Sequence, residues 1–125
     1  MASKKILIVD DVPVIIEVLG ARLVTAGYEV CSARDGVEAI EKVESDKPDL
    51  IIMDVLMPKM TGFEAMRKIR DNPKSRHIPA IVISAKASLK DFFADMSGVE
   101  FIAKPYDSDK LLARVEALLR GGNPA

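Results

Sequence analysis

Short apolar runs alternate with stretches whose apolar residues recur at helical spacing, five times over. The runs are Ile6–Val9, Tyr28–Ser32, Leu50–Met53, Ile78–Ile83 and Val99–Ala103. Two of them, Ile6–Val9 and Leu50–Met53, are apolar throughout, as a strand buried on both faces requires. Between the runs, Ile15, Val18, Leu19 and Leu23 share one face of a helix over Val12–Ala26. Val37, Ile40 and Val43 mark a second helix, and Phe63, Met66 and Ile69 a third. Leu89, Phe92, Phe93 and Met96 stand at i, i+3, i+4 and i+7 and predict a fourth. Leu111, Leu112, Val115, Leu118 and Leu119 predict a fifth. Pro13 suits a first turn, Gly27 and Gly98 suit helix ends, Asp35 suits a cap, and Pro48 and Pro73 break the pattern.

Strict strand–helix alternation with short connections predicts an α/β fold. The sheet is expected to be parallel and five-stranded, with helices on both faces. Right-handed crossovers favour the strand order 2-1-3-4-5, the flavodoxin-like (βα)5 arrangement. The chain has 125 residues, which suits one domain, expected over 1–120. The closing "GGNPA", residues 121–125, reads as a flexible tail or linker stub.

Lys and Arg total 18 against 19 Asp and Glu, a net charge of −1. That balance offers no footprint for nucleic acid or an anionic membrane. The single cysteine, Cys31, allows no internal disulfide and reads as a small buried hydrophobe. "MASKKILIVDD" is too short in apolar residues for a secretory signal, and no run is long enough to span a bilayer. The expected location is the cytoplasm.

In such a sheet the working residues follow the strands, at the carboxyl edge. Asp10 and Asp11 follow the first run, Asp54 the third, Ser84 the fourth, and Lys104 with Pro105 the fifth. These strands are neighbours in the expected order, so three carboxylates, a hydroxyl and an ammonium converge. Carboxylates packed together raise one another's pKa and favour a cation. An all-oxygen set suits Mg²⁺, and the lack of His or Cys in it argues against zinc. The lone histidine, His77, falls in the loop before the fourth strand, at the far end of the sheet, and reads as solvated.

A carboxylate beside Mg²⁺, a lysine and a hydroxyl has the parts for phosphoryl transfer. The metal and lysine can neutralise the phosphoryl oxygens while the carboxylate attacks in line. The run Leu50–Met53 would anchor Asp54 rigidly, and a turn through Pro58 and Gly62 would leave it open to a partner.

"ILIVDD", "DLIIMDVLMPKMTGFE", "IPAIVISA" and "FIAKP" together resemble the receiver domain of two-component response regulators, over residues 4 to 120. The resemblance implies that Asp54 is the phosphoacceptor. It implies that Asp10, Asp11, Asp54 and the backbone carbonyl of Leu56 hold Mg²⁺. It further implies that Lys104 and Ser84 bind phosphoryl oxygens, that Phe101 swings inward with Ser84, and that Lys104–Pro105 is cis. The donor would be a histidine kinase or histidine phosphotransfer protein. The readout would be a downstream protein or a homodimer, through the fourth helix, fifth strand and fifth helix. Such a domain is no enzyme in its own right, but assists its own phosphorylation and autodephosphorylation. Two departures stand out. The segment between Ser84 and Lys104 is shorter than receivers usually run, which bears on the output surface. Leu56 and Lys86 flank the path of the hydrolytic water, so slow hydrolysis is expected.

Other readings compete. Each acid could cap a turn or helix, Lys104 could be a solvated lysine, Ser84 an ordinary strand-end serine, and Phe101 core. The stripe of Leu89, Phe92, Phe93 and Met96 reads as core, with a phenylalanine as an alternative partner contact. A Mg²⁺-dependent aspartyl-phosphate phosphohydrolase would need a second acid at the position of Leu56. A flavin or nucleotide carrier would need a glycine- or hydroxyl-rich loop where "VDDVPV" stands. A receiver module detached from a multidomain regulator or hybrid kinase also fits.

Overall fold

A computed structural model describes residues 3–57 and 59–120. The five strands are β1 (Lys5–Val9), β2 (Glu29–Ala33), β3 (Leu50–Asp54), β4 (Ala80–Ser84) and β5 (Val99–Ala103). All pair in parallel, in the order β2-β1-β3-β4-β5, as the alternation predicts. The α-helices are α1 (Pro13–Thr25), α2 (Gly36–Asp46), α3 (Gly62–Asp71) and α4 (Ser108–Leu119). The tail at 121–125 and Pro58 of the expected turn lie outside the described residues.

Successive residues of the central strands serve opposite faces, the period-two rule for a pleated strand. Leu7, Val9, Ile51, Met53, Ala80 and Val82 pack with residues of α2 and α3 such as Ala39, Val43, Met66 and Ile69. Ile6, Ile8, Leu50, Ile52, Ile81 and Ile83 pack with Leu19 and Leu23 of α1 and Leu111, Val115 and Leu118 of α4. Both faces are therefore covered, and β1, β3 and β4 are buried along almost their whole length.

The fourth expected helix is corrected. Ala87–Phe93 is a 3₁₀ segment, η1, so the last helix of the chain is α4. A 3₁₀ turn holds three residues, so side chains three apart eclipse. The 3.6-residue stripe splits into two rows. Phe93 and Met96 are buried, Leu89 is half-buried, and Phe92 is 58% exposed. A second correction concerns Cys31, which is half-buried and packs at the margin of the α2–α3 core rather than inside it.

Gly62 does more than permit a turn. It is the first residue of α3, and a Cβ there would stand 2.6 Å from the Asp54 carbonyl oxygen. Only glycine lets this helix start so close to the end of β3. Its N–H donates to the Val55 carbonyl at 2.8 Å, closing the turn.

Candidate functional site

Register brings the strand ends level. Val9 lies opposite Met53, Asp54 opposite Ile83, and Ser84 opposite Ala103. The residue after each strand therefore reaches the same edge. Asp10 continues the ladder by donating its N–H to the Ala33 carbonyl at 3.1 Å, and Lys104 donates to the Ser84 carbonyl at 2.8 Å.

Asp10, Asp11 and Asp54 each bring a carboxylate oxygen within 4.8 Å of the others. Lys104 Nζ lies 3.7 Å from Asp54 Oδ2. The other oxygen, Asp54 Oδ1, accepts the Leu56 N–H at 3.3 Å. Asp10 Oδ1 accepts the Val12 N–H at 2.9 Å, and Val12 is the N-cap residue of α1. Asp10 thus also holds the entry to the helix. Beneath these groups lies a pocket of about 10 Å³, reached by Asp10, Asp54, Lys104, Ile15 and Tyr106. Ser84 is wholly buried and its Oγ accepts the Lys86 N–H at 3.1 Å. Phe101 is half-buried, its ring tilted against Phe93 with centroids 6.2 Å apart. The Lys104–Pro105 peptide bond is cis. His77 is exposed, in the loop before β4.

Electrostatics follow from this crowding. Burial pushes the Asp54 carboxyl above the usual aspartate value; Lys104 pulls it back, and the charge on Asp11 adds to the rise. Burial likewise raises Asp10, offset by the Val12 N–H and increased by the charge on Asp54. Two of three clustered acids are therefore costly to ionise together, and an all-oxygen, electron-rich set of this kind fits a hard divalent cation.

A family profile described as the response regulator receiver domain matches residues 6–116. The chain belongs to the response regulator receiver domain family. It is 42% identical over 120 residues to response regulator PleD of Caulobacter vibrioides, covering 94% of this chain and 26% of PleD. It therefore spans about a quarter of that relative. Among solved structures it is similar to the chemotaxis response regulator CheY4 of Vibrio cholerae. The TM-score is 0.85 at 32% identity, covering 94% of this chain and 99% of that one. It is equally similar, at TM-score 0.85 and 29% identity, to the receiver domain of sensor histidine kinase PA1611 from Pseudomonas aeruginosa PAO1. The match covers 95% and 99% of the two chains, and that structure has a magnesium ion coordinated in its active site cleft.

Some residues that shape this receiver's site escaped the sequence reading. Thr61 Oγ1 accepts the Glu64 N–H at 3.2 Å while Glu64 Oε1 accepts the Thr61 N–H at 3.2 Å, a reciprocal cap on α3. The T-x-x-E spacing of Thr61 to Glu64 was the available signal. Lys59, at φ 67°, lies 3.6 Å from Asp35 and ties the β3–α3 loop to the start of α2. No local pattern announces that pair, because the partners meet only across the sheet edge. Among the described residues no helix is long and apolar enough to cross a membrane.

Proposed function

We propose that this receiver is a phosphorylation-activated switch acting in the cytoplasm, with residues 1–120 as its working unit. Asp54 accepts a phosphoryl group from the phosphohistidine of a histidine kinase or phosphotransfer protein. An Asp54 oxygen forms the new bond to phosphorus as the phosphorus–nitrogen bond of the donor breaks, and the bonding pair stays on the imidazole, which takes up a proton. The single observation that carries this reading is the juxtaposition of Lys104 and two further acids with Asp54 at one sheet edge.

Asp10, Asp11, Asp54 and the Leu56 carbonyl are the residues that would hold Mg²⁺. When bound, the ion supplies positive charge against the phosphoryl oxygens. Lys104, 3.7 Å from Asp54, would supply a second positive charge to the same oxygens. Ser84 gives up the Lys86 N–H and donates its hydroxyl to a phosphoryl oxygen. Phe101, already half-buried, then turns further inward. The altered surface spans η1, β5 and α4 and is read by a downstream protein or a second copy of the chain. The receiver assists its own phosphorylation and autodephosphorylation but processes no other substrate. A phosphohydrolase would need an acid at Leu56, whose apolar side chain is 46% exposed instead.

A second reading, a receiver module within a multidomain regulator or hybrid kinase, is favoured by the relatives. The chain spans 26% of PleD, and the PA1611 structure is the receiver of a sensor kinase.

Intact mass after incubation with Mg²⁺ and a small acyl-phosphate donor tests the switch. One phosphoryl adduct is expected, dependent on Mg²⁺ and absent from Asp54→Ala. An adduct that survives in Asp54→Ala, or folded protein that takes none from either the small donor or a histidine kinase, would overturn it.

A further inference from the structure

The amino edge of the sheet, opposite Asp54, carries a second concavity that phosphoryl chemistry does not use. It lies between the ends of α2 and α3 and the loops that follow them, with a volume of about 530 Å³, within the range of small-molecule sites. Its apolar floor is Val43, Pro48, Ile69 and Ile78, all buried, with Ile40 half-buried beside them. Its rim carries Lys47, Lys68 and Lys74, all exposed, with His77.

Facing charges decide what this site prefers. Two acids share the lining, Glu44 and Asp49. Asp49 is half-buried and already engaged, since its Oδ2 accepts the Lys5 N–H at 2.8 Å. That neutral donor leaves its charge in place, so three lysines face two acids and exceed them by one.

The two helix ends nearby would also attract cations, each with about half a negative charge. Some of their carbonyls are taken by other donors. Lys47 N–H pairs with the Val43 carbonyl and Lys5 Nζ with that of Asp46. Ser75 Oγ pairs with the Ile69 carbonyl at 2.8 Å, and Ser75 and Arg76 N–H groups with that of Asn72. Among the described residues, Lys47, Lys68 and Lys74 enter no ion pair. Three ammonium groups thus border an apolar floor with surplus positive charge.

We propose that this groove binds a small organic anion, a carboxylate, phosphate or sulfonate carried on an apolar body. The body covers Val43, Ile69 and Ile78, and the anionic group is held by Lys68 and Lys74. The site lies at the start of β3 and β4, the strands whose far ends carry Asp54 and Ser84. It requires no phosphorylation, so its test is independent of the reading above.

Amide chemical-shift mapping tests it on the intact chain. The probes are anilinonaphthalene sulfonate, its uncharged counterpart phenylnaphthylamine, and inorganic phosphate. Saturable shifts are expected from the sulfonate at residues 43–49 and 72–78, with weaker binding of the other two. Lys68→Gln with Lys74→Gln should weaken the sulfonate by about tenfold, the scale of a lost charge-assisted hydrogen bond. Unchanged amides in the strands will show that the variant is folded. Equal affinity for the uncharged probe, shifts that map elsewhere, or full retention of binding in the double variant would overturn the proposal.

Discussion

Lys104 Nζ stands 3.7 Å from Asp54 Oδ2, joining the ends of two strands, β3 and β5, that are separated in the sheet by β4. The pair is partly exposed, so it contributes little to stability. On the proposed function, its value would lie in placing a fixed positive charge where phosphoryl oxygens gather. Lys104→Met should therefore leave the melting temperature within a few degrees of wild type. It should slow phosphorylation by a small donor by about 10²-fold, the scale of losing one preorganised charge contact. Single-turnover mass spectrometry checks this, and an undiminished rate would remove Lys104 from the chemistry.

Asp10 and Asp54 both have carboxyls raised by burial. A group raised in the folded state stabilises the fold while protonated. That contribution is complete below the unfolded value and is lost as pH climbs through the folded one. Asp54→Asn should consequently melt higher than wild type without metal, by about 4 °C near neutral pH if relief is worth about 1 kcal/mol. The gap should shrink as pH falls toward about 4, where the unfolded aspartate itself protonates. A gap indifferent to pH would show that the cost of ionising the buried Asp54 carboxyl is not its cause.

Saturating Mg²⁺ should raise the wild-type melting point, by mass action, with about 2.7 kcal/mol available at one hundred times the dissociation constant. Asp10→Asn or Asp11→Asn should abolish most of that gain. Scanning calorimetry with and without the ion provides the comparison.

Gly62→Ala forces a methyl to within 2.6 Å of the Asp54 carbonyl. Backbone must move, because the obstructing atom is not a flexible side chain. A destabilisation of about 2 kcal/mol is expected in urea titrations, typical of overpacking. Slower phosphorylation should accompany it, since the displaced residue is Asp54 itself.

Leu56 leaves its side chain about half exposed beside Asp54, and Lys86 is exposed next to Ser84. An apolar group at that position would screen a phosphoryl group on Asp54 from water. Leu56→Asn should shorten the phosphoryl lifetime several-fold, followed as decay of the mass adduct. A wild-type lifetime already as short as that of fast chemotaxis receivers would contradict this role.

Much of this receiver was legible in residue order. Alternation of runs such as Ile6–Val9 and Leu50–Met53 with helical stripes determined a parallel sheet and which residues follow each strand, while its strand order was favoured by crossover handedness. The runs and stripes are local patterns read out by backbone periodicity, so they need no tertiary information. Phe92 shows where that reasoning stops: its spacing suits an α-helix, yet the short Ser84–Lys104 connection closes with a 3₁₀ turn and leaves it in solvent. The same holds for the Lys59–Asp35 tie, the close approach at Gly62, and the lysine-rimmed groove between α2 and α3. Residue types along the chain determined that acids, a hydroxyl and a lysine would meet at one edge. Distances among them, and the charges left over at the opposite edge, depend on how separate elements pack, which only the tertiary structure decided.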